Sequence, residues 1–403
     1  MSVSTIDFDQ LKSHIRPIDA PLSIYIHVPF CLNKCDYCSF LSYQVKEKVD
    51  CGDFDKIANN WKDEIINQIE NFIPLLLPTS IYTIYIGGGT PSLLEAFHYK
   101  EIFKALENCC KKHNIEFVPC EISMEANPSS VTRKRLQDFL EAGFNRITFG
   151  VQSFDLKYLK WMGRRGDRYL DFEELKNLVS PLVDENINFG LDLICGFPNQ
   201  TTRELILDCT KALSLRPKHI SLYRLVLDEA TPLSKRFNGF TSKELSCLDE
   251  SELKAGEFLQ RSSYNHYEIS NYALDGYESK HNLVYWNMDN SLALGEGGVS
   301  TLLYDNGKMG AARVTNLSGN KFDLSFIDRD EFRFENMMMG LRTATGINLK
   351  KFKMRFGFTP EYFYKEQIMQ ATIEGLIEQD STHFKMSKKG FDYLNSFLVK
   401  LLP

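Results

Sequence analysis

The sequence predicts an α/β fold: an incomplete parallel barrel of six strand-helix units, (β/α)6, with a C-terminal, mainly helical domain. From residue 23 to about 227, short apolar runs rich in β-branched residues alternate with longer amphipathic segments, the rhythm of a parallel sheet with crossover helices. The predicted strands are followed by cysteine-bearing, glycine-rich or polar loops, as expected when a ligand sits at the carboxyl ends of barrel strands. After about Asp328 the pattern turns helical with a lysine-rich finish, a unit of ordinary domain size.

The strands are read at 23–27, 81–86, 121–125, 146–150, 188–194 and 219–225, and the helices between them at 54–72, 99–113, 133–142, 172–183 and 202–215. Around this barrel, placed at 21–232, the reading sets an N-terminal extension at 1–20, a connecting segment at 233–327 with a charged helix at 242–261 followed by strand and turn character over 267–315, and the C-terminal domain at 328–403.

The 403 residues are long enough to bury a large core. Apolar residues make up 43% and charged residues 25%, with a net charge of -6 and no long block of like charge, so nothing draws the chain to nucleic acid. The N-terminus, Met-Ser-Val-Ser-Thr-Ile-Asp-Phe-Asp-Gln, carries acid where a secretory signal needs base. A cytoplasmic protein is expected. The most apolar stretch, 72–78, is interrupted by Pro74 and falls far short of the roughly 20 residues that span a bilayer, which leaves only peripheral membrane contact open.

Cys31, Cys35 and Cys38 follow the first predicted strand within eight residues. Three thiolates with no fourth suit a cubane iron-sulfur cluster that leaves one iron open to a small molecule, whereas a closed structural zinc site wants four ligands. A zinc site completed by His27 and three buried thiols are the other readings. The remaining cysteines, Cys51, Cys109, Cys110, Cys120, Cys195, Cys209 and Cys247, show no repeating pair spacing and read as small buried hydrophobes rather than a disulfide framework.

Gly87-Gly88-Gly89-Thr90-Pro91 removes side chains where backbone could meet an amino acid's ammonium and carboxylate, although a tight turn alone explains one or two of the glycines. Glu125, Gln152, Arg164 and Asp192 lie at or near successive strand ends, where a carboxylate can hold a ribose or ammonium and an arginine a carboxylate. Singly, each is equally a solvated surface residue. The run Lys280-His281-Asn282-Leu283-Val284-Tyr285-Trp286 could offer an axial ligand and flat surfaces to a macrocycle, while residue chemistry alone favours a packed core segment. A flexible turn, Leu294-Gly295-Glu296-Gly297-Gly298, follows it.

Over nearly its whole length the chain resembles radical S-adenosylmethionine proteins of the oxygen-independent coproporphyrinogen oxidase group. The resemblance is carried, in order, by the cysteine triplet, Gly87 to Pro91, Ile122-Ser123-Met124-Glu125, Gly150-Val151-Gln152-Ser153-Phe154 and Asp192-Leu193-Ile194-Cys195-Gly196-Phe197-Pro198. That group holds a porphyrinogen-decarboxylating enzyme class and a heme chaperone class. The enzyme carries a further cysteine two positions after the triplet, where this chain has Phe40, as the chaperone class does. Lys280 to Trp286 resembles the chaperone's His-Asn-x-x-Tyr-Trp motif, and Gly340-Leu341-Arg342-Thr343 with Gly346-Ile347 resembles the C-terminal domain of the group. The chain departs from the chaperone class at Phe30, where tryptophan is frequent, and at Gly163-Arg164-Arg165-Gly166-Asp167, which lacks the histidine usual after that arginine.

The resemblance implies a [4Fe-4S] cluster on Cys31, Cys35 and Cys38. It implies S-adenosylmethionine at Tyr25, Tyr37, Gly88, Gly89, Thr90, Glu125, Gln152, Arg164 and Asp192, and heme near His281, with no catalytic residue assigned. The expected function is a heme chaperone that passes heme to an acceptor protein, with an electron donor required if S-adenosylmethionine is cleaved and a cluster-dependent homodimer left open. The alternatives are oxidative decarboxylation of coproporphyrinogen III started by cleavage of S-adenosylmethionine, and a zinc-stabilised binding module.

Overall fold

The β-branched runs become six neighbouring parallel strands: β1 Leu22–Val28, β2 Ser80–Gly88, β3 Glu116–Ala126, β4 Arg146–Gln152, β5 Asn188–Cys195 and β6 His219–Arg224. The computed structural model describes residues 4–50, 52–164, 169–237 and 239–402; Cys51 and the Arg165-Gly166-Asp167 stretch lie outside them. Period-two alternation divides each strand. Ile24, Ile26, Ile84, Ile86, Ile147 and Leu191 are fully buried in the main hydrophobic core. The register pairs Ser23 with Thr83, Tyr25 with Tyr85 and His27 with Gly87 on the other face, so the barrel interior is unusually polar.

Helix Phe54–Leu76 runs past the expected end and through Pro74. A mid-helix proline costs about 3 kcal/mol, and the complete burial of Ile73 and Leu76 offsets it, each such side chain contributing roughly 1.5–3 kcal/mol. Leu77, at φ 41°, then closes the helix in the left-handed region. β3 begins earlier than expected. Its Pro119 falls where the pairing register slips between Ile81–Phe117 and Thr83–Glu121, a position that needs no ladder hydrogen bond.

The sheet does not stop at the six strands. Asn271–Ala273 and Asn265–Glu268 extend it antiparallel beyond β6. Ser291–Leu294 lies parallel beside β1, followed by Val299–Leu303, Ala311–Leu317, Lys321–Ile327 and finally the N-terminal Ser4–Asp7, giving 13 strands. The sequence between the barrel and the C-terminal unit therefore carries sheet as well as the helix Ser242–Arg261, whose capping box on Thr241 marks its start.

The C-terminal unit packs helices Arg329–Gly340, Leu349–Phe356, Lys365–Ile373 and Leu394–Val399 with a small sheet, Ile347–Asn348, Ile377–Gln379 and His383–Met386. It has its own core of Phe332, Phe352, Phe356, Phe384 and Phe397. Arg355 joins it to the barrel: the buried guanidinium donates to Asn287 O (3.0 Å), Met288 O (2.9 Å) and Asp289 Oδ1 (2.8 Å), and Lys351 Nζ reaches Asp289 at 2.6 Å. Among the described residues no helix is long and apolar enough to cross a membrane.

Candidate functional site

The loop after β1 is pinned before it presents anything. Phe30–Cys31 pairs in parallel with Tyr43–Gln44, while the backbone N–H groups of Tyr43 and Val45 donate to Pro29 O (2.6 Å) and Cys31 O (2.9 Å). Asp36 ties the middle of the loop outward: its N–H meets Met162 O at 3.0 Å, its carbonyl accepts from Leu233 N–H at 2.8 Å, and its carboxylate pairs with Arg236 at 3.1 Å. With both ends and the middle fixed, the three thiols face one space.

That space is a cavity of about 460 Å³ at the carboxyl ends of the strands, lined by Cys31, Cys35, Tyr37, Cys38, Gly88, Gly89, Thr90, Glu125, Gln152, Arg164 and Asp192, within the range of small-ligand pockets. Tyr25 is absent from the lining. It lies below the floor, stacked with Tyr85 at 6.2 Å and hydrogen-bonded to His27 Nδ1 at 3.0 Å. The cavity also takes in residues the sequence did not single out, among them Asn33, Lys34, Asn127 and Tyr223. Asn127 was legible only as part of a strand end, and Tyr223 follows His219 and Ser221 in the inward alternation of β6.

Each wall has a physical cause. Gly89 lies so close to the cysteine loop that a Cβ there would come 2.6 Å from Phe30 O and 3.0 Å from Cys31 Sγ, and Gly88, at φ 112°, would put one 2.6 Å from the His27 ring. Thr90 Oγ1 donates to Cys31 Sγ at 3.6 Å. A register shift between Gly150 and Gln152 turns the end of β4, leaving Gln152 at φ 71°, a strained conformation of the kind held at ligand sites. Arg164 reaches in from the turn after helix Leu156–Trp161 and is anchored on Asn127 Oδ1 (3.0 Å) and Gly150 O (2.6 Å).

Burial sets the electrostatics. The Cys35 thiol is pushed up to about 11 by desolvation, with Arg164 opposing. Desolvation lifts Glu125 to about 7 against the hydrogen bond from Tyr85 Oη (2.8 Å), and lifts Asp192 to about 6. Two such carboxyls are at ease when a cationic guest arrives and restores their charge. Together with the arginine and the glycine backbone, they suit a small zwitterion carrying extra positive charge.

Among the described residues no group of three His, Cys, Asp or Glu is arranged to hold a single metal ion, and the chemistry of the thiol set suits a cluster instead. Three soft donors line one pocket and act electrostatically on one another, and a cubane takes one thiolate per iron. The zinc reading fails at His27, whose Nδ1 meets Tyr25 Oη and whose Nε2 meets Leu41 O at 2.8 Å. Neither nitrogen is free.

His281 is elsewhere. Helix Lys280–Trp286 closes the barrel interior below the cavity, with His281 only 1% exposed, Nδ1 on Thr83 Oγ1 at 2.7 Å and Nε2 on Tyr285 Oη at 2.8 Å. Burial, helped by Arg146, lowers its pKa to about 3. The imidazole is neutral and both nitrogens are spent, so in this arrangement it does not fit an axial heme ligand, contrary to the expectation from its motif. The turn Gly295 to Gly298 is wedged rather than free: a Cβ on Gly295 would come 2.7 Å from His27 O, and one on Gly297 2.8 Å from the Leu41 side chain.

Comparison with known proteins bears on the same residues. The profile of the Radical SAM superfamily matches residues 25–209, and that of the HemN C-terminal domain matches 327–393. The heme chaperone HemW of Buchnera aphidicola subsp. Schizaphis graminum is 32% identical over 94% of this chain and 97% of its own length. The heme chaperone HemW of Escherichia coli is 29% identical over 95% and 98%. The coproporphyrinogen III oxidase HemN of Escherichia coli, a radical SAM enzyme, superposes with a TM-score of 0.76 over 98% of this chain and 93% of its own at 17% identity, a likeness of fold.

Proposed function

The chain belongs to the radical SAM superfamily and, within it, to the HemW family of heme chaperones, and from that premise we propose that it binds a [4Fe-4S] cluster, S-adenosylmethionine and heme, and hands the heme to an acceptor protein. The observation that carries the proposal is the cavity and its rim: three thiols inside, and at the opening Phe40, 64% exposed, and Val226, 73% exposed. Exposed apolar side chains beside a ligand pocket mark a contact surface, and a phenyl ring offers a flat face to a macrocycle.

In this reading Cys31, Cys35 and Cys38 hold the cluster. The backbone of Gly88 and Gly89, with Arg164, receives the amino-acid end of S-adenosylmethionine. Glu125 and Asp192 face its positive groups, and Gln152, Thr90 and Tyr37 complete the wall, with Tyr25 supporting it from below. Bound cluster and S-adenosylmethionine together supply one-electron chemistry. The protein's own part is to bind, to orient and to keep water from the pocket. If His281 is to ligate heme, helix Lys280–Trp286 must first give up the Thr83 and Tyr285 contacts.

Anaerobic reconstitution with iron and sulfide, followed by heme titration and transfer to a heme-free acceptor, tests the proposal. A Soret band that saturates at one heme-binding event, with restoration of the acceptor, is expected. No heme binding by the reconstituted protein, or anaerobic conversion of coproporphyrinogen III to protoporphyrinogen, overturns it.

A further inference from the structure

We infer that His281 is a positioning residue for the cofactor cavity: it steadies Tyr85 from inside the barrel, and Tyr85 in turn fixes the Glu125 carboxylate where S-adenosylmethionine is received. The inference rests on reading that cavity as the S-adenosylmethionine site and is independent of whether the protein carries heme.

The contacts form one chain. The His281 ring stacks on Tyr85 with centroids 5.1 Å apart and planes 24° apart. Tyr85 Oη donates to Glu125 Oε1 at 2.8 Å, and Glu125 Oε2 accepts the N–H of Gly88, in the triple-glycine loop, at 3.3 Å. The junction has no slack, because a Cβ on Gly87 would stand 3.0 Å from Glu125 Oε1, from Tyr25 and from Tyr85 alike. A small displacement of the Tyr85 ring therefore moves the carboxylate.

His281 is itself over-determined, as a strut should be. Thr83 Oγ1 gives its proton to Ser23 Oγ (2.8 Å), so the Nδ1–H of His281 donates to Thr83, and the Nε2 lone pair accepts from Tyr285 Oη. That tautomer uses the lone pair an iron would need. The helix is held at its start by the Glu121 carboxylate, which accepts the N–H groups of Lys280 (3.0 Å) and His281 (3.1 Å). At its end it is held by Arg355, through Asn287 O and Met288 O. Tyr285, one turn on, is also close enough for the Glu125 charge to act on it. Residues 280–286 thus brace the cavity from beneath, and a side chain that only filled core volume would not need this orientation.

The test is S-adenosylmethionine titration of reconstituted protein, followed by calorimetry and by the change in the reduced cluster's EPR spectrum on ligand addition. Tyr85→Phe keeps the ring and loses only the bond to Glu125; His281→Ala removes the strut; His281→Phe keeps a flat ring but offers no nitrogen. Expected are about tenfold weaker binding in Tyr85→Phe and in His281→Ala and a smaller loss in His281→Phe, which keeps the stacked ring but not the bonds that orient it. The double variant of Tyr85→Phe with His281→Ala should be no weaker than either single one, the non-additivity of residues acting in series. Parental affinity in Tyr85→Phe, or additive losses in the double variant, overturns the inference. Loss of heme binding in all His281 variants with S-adenosylmethionine affinity intact overturns it too, and assigns His281 to heme instead.

Discussion

The cysteine loop and the His281 helix are the two chemistry-bearing segments of this molecule, and they are finished in opposite ways. In the loop the backbone is tied down while the side chains are kept back: the three thiols and Phe40 all border the cavity, Cys31 Sγ takes one long bond from Thr90, and the Cys38 thiol meets the backbone of Phe40. In helix Lys280–Trp286 the histidine has spent both nitrogens on protein. The first segment awaits a guest. The second has consumed its polar capacity in holding the barrel together, which is why two motifs of comparable prominence in the sequence play different parts in the fold.

Replacing one residue of each kind gives the largest contrast. Cys35→Ala should yield colourless protein without acid-labile sulfide after reconstitution, with the melting curve of the metal-free parent, because Cys35 is only partly buried. His281→Ala should accept a cluster yet lose roughly 2–4 kcal/mol in denaturant unfolding, from the cavity left behind and the Tyr285 hydroxyl left without its partner. A cluster-bearing Cys35→Ala protein would erase the distinction.

The open segment was the legible one. A cluster loop depends on spacing over eight residues, and the barrel strands depend on β-branched runs, so both can be read locally. The fate of His281 depends on which faces of Thr83 and Tyr85 meet it across the barrel, 198 residues away for Thr83, and no local pattern carries that. The strands beyond the barrel are legible only in part: strand and turn character shows over 267–315, but not over Lys321–Ile327 or Ser4–Asp7. Lys321–Ile327 is antiparallel and alternates buried with more exposed positions, giving a weaker signal than a strand buried on both faces. Arg355 sits among Lys350, Lys351 and Lys353, and nothing in that run marks it out as the one that is only 4% exposed.

The pH dependence sharpens the comparison from the open side. Glu125 titrates near 7 in the fold, above its unfolded value, so the native state holds its proton more tightly. The resulting penalty is absent below about pH 4.5, grows as pH rises toward 7 and is constant above it, reaching about 3 kcal/mol at most. Glu125→Gln without ligand should therefore match the parent at pH 4 and exceed it in stability at pH 8, measured by melting across that range. An equal gain at both ends would mean that burial does not strain this carboxyl. His281 carries the opposite sign: burial lowers its pKa to about 3, so its penalty lies at acid pH and is gone above about pH 6.5.

A smaller effect is expected at the latch that holds the closed segment. Arg355→Met keeps much of the side-chain volume but removes the donors to Asn287, Met288 and Asp289. A loss of roughly 2 kcal/mol is expected from hydrogen bonds of a charged donor, part of them recovered by Lys351 on Asp289. Hydrogen exchange should accelerate in 280–289 more than in the cysteine loop. Uniform acceleration across both segments would mean that Arg355 stabilises the whole chain rather than this helix.

The smallest effect on the fold should come from Phe40. With most of its ring in solvent, Phe40→Ser should change unfolding free energy by no more than about 0.5 kcal/mol, and the thiols behind it should still take up a cluster. Its consequence belongs to the rim. Losing one flat apolar contact to a macrocycle is worth about 1 kcal/mol, or about fivefold in heme affinity, with S-adenosylmethionine affinity unchanged because the ring stands at the mouth and not at the floor. Absorbance titrations of heme and calorimetry of S-adenosylmethionine on the same preparation separate the two. If Phe40→Ser weakens S-adenosylmethionine and spares heme, the apolar rim is part of the inner pocket, and the heme surface lies on another face of the molecule.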